Sequence, residues 1–162
     1  MAQKHIISAL VANRPGVLAR AAGLFSARGY NIDSLAVGET EDPELSRMTI
    51  VVEGDEGILE QLRKQLGKLI DVVKVQDYVG VPCVERDLAL VRVHAPAERR
   101  SEVLELVSIF RARVVDVGRQ DVMIELAGTE DKVEAFLELV KPYGIREMVR
   151  SGRIALARST RP

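Results

Sequence analysis

The chain has 162 residues, of which 47% are hydrophobic and 29% charged, a balance that supports a buried core and excludes a disordered or fibrous polypeptide. A formal net charge of −1 supplies no long-range field to gather nucleic acid or an anionic membrane. The single cysteine, Cys83, excludes an internal disulfide and any multi-cysteine metal site.

Residues 5–12 form a near-continuous apolar run that meets Asn-Arg-Pro-Gly at 13–16, which predicts a buried strand ending in a turn. A helix over 17–28 follows, because Leu18, Ala21, Ala22 and Phe25 share one helical face and Arg28-Gly29 supplies the glycine favoured at a helix end. Residues 30–38 and 46–53 are rich in strand formers and are joined by a polar turn whose Pro43 cannot continue a ladder, so they predict a hairpin. Gly54-Asp55 opens a second helix with Leu59, Leu62, Leu66 and Leu69 on one face, and residues 72–79 supply a fourth strand.

Gly80, Val81 and Pro82 punctuate the chain, and the βαββαβ order then restarts. A strand is expected over 88–93, a helix over 97–112, strands over 113–118 and 121–127, and a last helix carrying Val133, Phe136 and Val140. The stretch Leu24-Phe25-Ser26-Ala27-Arg28 aligns with Ile109-Phe110-Arg111-Ala112-Arg113, and Glu53-Gly54 aligns with Ala127-Gly128 at a smaller offset, so the second copy has the shorter hairpin. The expected fold is α+β, two tandem ferredoxin-like βαββαβ domains over 1–80 and 81–162. Each would pack both helices on one sheet face. In the third strand Met48, Ile50 and Val52 point one way while Thr49 and Val51 point the other, so the helix-free face is also apolar. Such a face needs a cover, which predicts association with another domain or subunit and an oligomer no smaller than a dimer.

Catalytic chemistry is hard to find, and no catalytic residue or metal ligand is assigned. His5 and His94 lack a second histidine or cysteine at ligand spacing, and Cys83, next to Pro82 in the inter-domain linker, lacks an activating base. Glu39, Glu41, Asp42 and Glu44 cluster in the hairpin turn, where solvated charge is the ordinary explanation. There is no phosphate-binding loop or dinucleotide fingerprint. The repeated plan is shared with RNA-binding sheets, but the central strands lack the aromatic residues that stack bases. Arg150, Arg153, Arg158 and Arg161 make a basic tail whose commoner meaning is a solvated terminus, with contact to an acidic partner as the alternative. No apolar stretch approaches the roughly 18 residues of a membrane span and no signal sequence opens the chain, so a cytoplasmic location is expected.

One feature carries specific chemistry. Asn13-Arg14-Pro15-Gly16-Val17-Leu18 sets a turn at the amino end of a helix, where unpaired N–H groups and the helix dipole suit a carboxylate. Gly16 allows close approach to the backbone, and Asn13 both donates and accepts, which suits an amino acid. On physics alone a plainer account stands level with this one: Asn13 caps the helix and Gly16 turns the chain. In the second copy Glu98 and Ser101 take the equivalent positions, and a negative charge without a glycine argues against a second carboxylate site.

Asn13 to Arg20, continuing to Gly29-Tyr30-Asn31-Ile32, resembles an ACT domain, a small-molecule-sensing module of amino-acid biosynthetic enzymes. More narrowly, residues 23–35 and 42–50, then Val84-Glu85-Arg86-Asp87, residues 110–117, Ala127-Gly128-Thr129 and Arg150-Ser151-Gly152, resemble the small-subunit family of acetolactate synthase over nearly the whole chain. The resemblance implies a non-catalytic regulatory subunit, a homodimer or higher oligomer, that activates a large catalytic subunit in branched-chain amino acid biosynthesis. It implies no cofactor in this chain, with thiamine diphosphate, magnesium and FAD held by the catalytic partner. It also implies feedback by valine, bound by Asn13, Gly16, Val17 and Leu18 of one subunit with Asn31 and Ile32 of its neighbour.

Overall fold

The computed structural model describes residues 3–159, and the first repeat has the expected order: β1 (Gln3–Ala12), α1 (Val17–Arg28), β2 (Asn31–Glu39), β3 (Leu45–Gly54), α2 (Glu56–Gly67) and β4 (Val72–Asp77). Its antiparallel sheet runs β2-β3-β1-β4. Local chemistry marks each helix end. Gly29 takes a left-handed conformation (φ 67°) and its N–H closes the last turn of α1, while the Asp55 carboxylate caps α2 by accepting from the Ile58 N–H. Alternation in the strands then sends Ile7, Ala9, Val11, Met48, Ile50 and Val52 to one face, where they pack against Val17, Ala21 and Phe25 of α1 and Leu59, Leu62 and Leu66 of α2.

The second repeat comprises β5 (Cys83–His94), α3 (Arg100–Ile109), β6 (Arg113–Val117), β7 (Asp121–Gly128), α4 (Glu130–Val140) and β8 (Ile145–Arg150), with a single 3₁₀ turn (Lys141–Tyr143) before β8. Its sheet runs β6-β7-β5-β8, the same order as the first, and its core gathers Ala89, Val91, Val93, Val103, Val107, Val122, Ile124, Leu126, Val133, Phe136 and Val140. The helix α3 is shorter than the predicted 97–112. Residues before it form a turn in which the Arg99 N–H donates to Pro96 O, and Arg111, a non-glycine at φ 54°, breaks the chain out of the helix at the other end.

Compact units divide the chain at different places from the predicted 1–80 and 81–162. One unit holds the chain up to Val84 together with the segment from Arg153 onward; the other is Glu85–Gly152. The cause is a short strand the sequence reading lacks, β9 (Ile154–Ala157), which pairs with β5. Ala155 packs with Ile6, Val51 and Tyr78, joined by Val81 and Cys83, on the face of the first sheet that carries no helix. Both faces of that sheet are therefore apolar as expected, but this part of the second face is covered by the chain itself. Cys83 is correspondingly the first residue of β5 and half-buried in that cluster, rather than a linker residue.

A short hydrogen-bond chain fixes this cover. The Tyr78 hydroxyl donates to Ala155 O at 3.2 Å and is met by Ser8 Oγ at 3.3 Å; the Arg153 N–H reaches Ser34 Oγ at 3.4 Å and the Arg158 N–H reaches Pro82 O at 2.8 Å. Because Ser8 and Tyr78 are both buried, Tyr78→Phe leaves the Ala155 carbonyl without its donor. The substitution is expected to cost about 1 kcal/mol, with faster amide exchange in residues 153–158 as its local sign. An unchanged exchange pattern there would show that apolar packing alone holds the segment.

The basic tail is not a uniformly solvated terminus. Arg150 is paired with Asp87 and Glu134, Arg153 is buried, and Arg161 lies outside the described residues. Among the described residues no helix is long and apolar enough to cross a membrane.

Candidate functional site

The turn after β1 is anchored on both sides by backbone bonds: the Ala12 N–H donates to Asp71 O and the Asn13 N–H to Glu44 O, both at 2.8 Å. Gly16 then caps α1 at φ 85°, ψ −11°, a left-handed conformation that glycine adopts without steric penalty. No side chain caps this helix. The plainer account of Asn13 as a helix cap therefore fails, since Asn13 points elsewhere. Its Nδ2 donates to Pro43 O at 3.0 Å and reaches Glu39 Oε2 at 3.5 Å, tying the turn to the β2–β3 hairpin. With both amide hydrogens directed at the hairpin, Oδ1 is the atom left to accept from a ligand.

Val17 is buried in the core, so it shapes the turn from beneath, whereas Leu18 is 46% exposed. Beside them lies Arg20, a residue the sequence reading passed over. Its Nε donates to Asp71 Oδ2 at 2.7 Å, and its Nη1 lies 2.9 Å from where a Cβ on Gly16 would stand. The signal was available in principle, since Arg20 is one helical turn beyond Gly16 and helix side chains lean back toward the amino end.

Asn31 and Ile32 stand far from this turn. Asn31 pairs with Glu53, which pairs in turn with Lys4, whereas the turn follows Ala12 at the other end of β1. Eight residues of strand separate the two levels, about 27 Å at the rise of an extended chain. No amino acid spans that distance, so within one chain the six sequence-predicted residues form two groups.

The edge between the groups is open. β2 is the outer strand of its sheet, with Leu35 (37%) and Val37 (45%) exposed on the helix side. An uncovered edge strand flanked by apolar side chains is a template for pairing with another strand. Glu39, the last residue of this strand, is the residue beside Asn13.

The corresponding turn of the second repeat is built differently. Arg99 caps α3 in a right-handed conformation, and the Arg100 guanidinium fills the turn by donating to the carbonyls of Ala95, Gly118 and Arg119. A guanidinium whose Nε and Nη2 already donate to carbonyls of its own chain has less to offer a carboxylate. The remaining candidates are accounted for locally. His5 Nε2 donates to Gly54 O at 3.0 Å, His94 Nδ1 accepts from Arg146 at 2.9 Å, and in the hairpin the Asp42 carboxylate accepts from the Glu44 N–H at 3.0 Å. An open groove of about 190 Å³ lined by Leu90, Arg92, Met123, Glu147, Met148 and Val149 contains no nucleophile or base pair, its Arg92 being held among Asp116, Asp121 and Glu147. Among the described residues no group of three or more histidine, cysteine or acidic side chains is placed to hold a metal.

Comparison with known proteins covers nearly the whole chain. Residues 7–74 match the family model of the AHAS small subunit-like ACT domain, and residues 86–159 match that of the small subunit of acetolactate synthase. A probable acetolactate synthase small subunit of Archaeoglobus fulgidus is 56% identical over 158 residues, covering 98% of this chain and 99% of that protein. The acetolactate synthase small subunit of Mycolicibacterium smegmatis is 50% identical, over 97% of this chain and 94% of its own. The crystal structure of the acetolactate synthase small subunit from Thermotoga maritima superposes with a TM-score of 0.89 at 42% identity, covering 98% of this chain and 99% of that one.

Proposed function

The chain belongs to the acetolactate synthase small-subunit family, its first repeat being an ACT domain, and on that premise we propose that it activates a separate catalytic subunit and makes it answer to valine. The observation that supports this reading is the separation of the two residue groups on one sheet. Asn13, Gly16, Val17 and Leu18 lie at one end and Asn31 and Ile32 at the other, so a ligand touching both must sit between two copies. In that position valine would find first-turn N–H groups for its carboxylate, Oδ1 of Asn13 for its ammonium, and the exposed Leu18 and the second copy's Ile32 for its isopropyl group. The amino acid would then be part of the subunit interface.

Binding between copies gives valine a lever on assembly. A ligand that contacts both subunits in one arrangement of the pair and only one in another shifts the population toward the first by its difference in affinity. Typical couplings of this kind are about 1–3 kcal/mol, a change of roughly 5- to 150-fold. The reaction itself belongs to the catalytic subunit, which under this reading also holds thiamine diphosphate, magnesium and FAD. No step of the chemistry is assigned to residues of this chain.

The experiment mixes the purified protein with a thiamine-dependent acetolactate synthase large subunit and measures acetolactate formation with and without valine. Stimulation of the large subunit, reversed in part by valine, is the expected result. Absence of both a complex and stimulation would instead favour a free-standing ACT regulator acting through some other protein.

A further inference from the structure

We propose that Arg20 is the cation that orients the carboxylate of the ligand at the β1–α1 turn; the inference rests on the amino-acid site described under the proposed function. Three observations meet at this side chain. Its Nε is committed to Asp71 at 2.7 Å, which fixes the plane of the guanidinium. Its Nη1 then lies over Gly16, 2.9 Å from the position of an added Cβ, so the glycine leaves room that the guanidinium borders. The Arg20 side chain remains 50% exposed, against 10% for Asp71, so a largely buried carboxylate anchors a guanidinium that still meets solvent.

Chemistry explains why this matters for selectivity. First-turn N–H groups donate to any anion or carbonyl, but a guanidinium fork with two parallel donors matches the planar carboxylate and adds a full charge. The ion pair with Asp71 takes up Nε and leaves half of the Arg20 side chain in solvent. A fixed cation beside a left-handed glycine has a use if an anion docks there. The second repeat provides a contrast, because its turn guanidinium, Arg100, is spent on three backbone carbonyls of its own chain.

The test is a calorimetric titration of the full-length protein with valine and with valinamide, which keeps the side chain and ammonium but replaces the carboxylate by a neutral amide. Arg20→Gln should weaken valine about tenfold or more, near 1.4 kcal/mol, while leaving valinamide as in the parent protein. Arg20→Lys, which keeps the charge and loses the fork, should fall between the two. Equal loss for both ligands would overturn the proposal by making Arg20 a strut that only holds the turn against Asp71, and no loss for either would overturn it outright. If valinamide binds too weakly to titrate, the order of the two variants decides, and equal affinities for valine overturn the assignment. A parent protein that binds no valine removes the amino-acid site and this proposal together, whereas normal parent binding with an unaffected Arg20→Gln removes Arg20 alone.

Discussion

Asp87→Ala is expected to destabilise the unit Glu85–Gly152 by about 3 kcal/mol, far more than any other single carboxylate in that unit. Asp87 is only 2% exposed and lies within β5 opposite Gly128, the last residue of β7 before α4. Arg150 donates to its Oδ2 through both Nε and Nη2, and Ser151 Oγ approaches its Oδ1 at 3.4 Å. Burial works against the charge on Arg150, but the hydrogen bonds to Glu134 and Asp87 outweigh it and hold the guanidinium more basic than usual. Removing Asp87 therefore strands a partly buried cation. The loss stays at the low end of the range for broken buried pairs because Arg150 keeps Glu134. Glu134→Ala, which removes a carboxylate that is half exposed, should cost no more than about 0.5 kcal/mol. Hydrogen exchange reads the effect locally: amides of β5, β7 and β8 should lose protection in Asp87→Ala, while those of β1 and β3 keep theirs. A loss equal to that of Glu134→Ala would mean that water replaces the carboxylate at no cost.

Periodicity carried most of the fold. The helix stripe of Leu59, Leu62, Leu66 and the alternation of Met48, Ile50, Val52 were legible because each element buries one face on its own account, and the structure places all six in one core. β9 escaped for the opposite reason. Only Ala155 of its four residues is buried, and it is held by a tyrosine 77 positions away, so no local pattern announces it. The same long-range contact moved the domain boundary and turned Cys83 from a linker residue into a strand residue. At the candidate site the turn was legible from Pro15 and Gly16, since both restrict the backbone in ways a sequence displays. The orientation of Asn13 toward Pro43 and the placement of Arg20 against Asp71 were not, because each depends on which loops the sheet brings together.

Comparison of the two repeats sharpens what the first turn retains. Both place a guanidinium at the start of their first helix, and in both it is fixed by hydrogen bonds. In the second repeat the fixing groups are three backbone carbonyls that take Nε and Nη2, and the backbone at Arg99 is right-handed. The first repeat uses one carboxylate on one side of the fork and a left-handed glycine on the other. The divergence read from Glu98 and Ser101 is thus physically a change in what the arginine faces: carbonyls of its own turn in the second repeat, and one carboxylate beside an open glycine in the first.

That difference leads to the variant expected to affect regulation most. Gly16→Asp should abolish the valine response, raising the concentration for half-inhibition by well over tenfold, while the complex with the catalytic subunit still forms. Aspartate tolerates the left-handed backbone at φ 85° better than most residues, so the strain should stay near 1 kcal/mol and the fold should survive. Its Cβ would stand 2.9 Å from Arg20 Nη1, which is the far end of a flexible side chain and can shift by the few tenths of an ångström needed. The new carboxylate then lies within reach of the same guanidinium and of the first-turn N–H groups. It would fill the position proposed for the ligand's carboxylate and repel any second anion. Gly16→Asn separates charge from shape, since it matches aspartate in size and in tolerance of the left-handed region but carries no charge. It should weaken valine less than Gly16→Asp does. Undiminished valine inhibition in the reconstituted complex carrying Gly16→Asp would remove this turn from the ligand site, and equal loss in the asparagine variant would assign the effect to crowding at Gly16 instead of to competition between carboxylates.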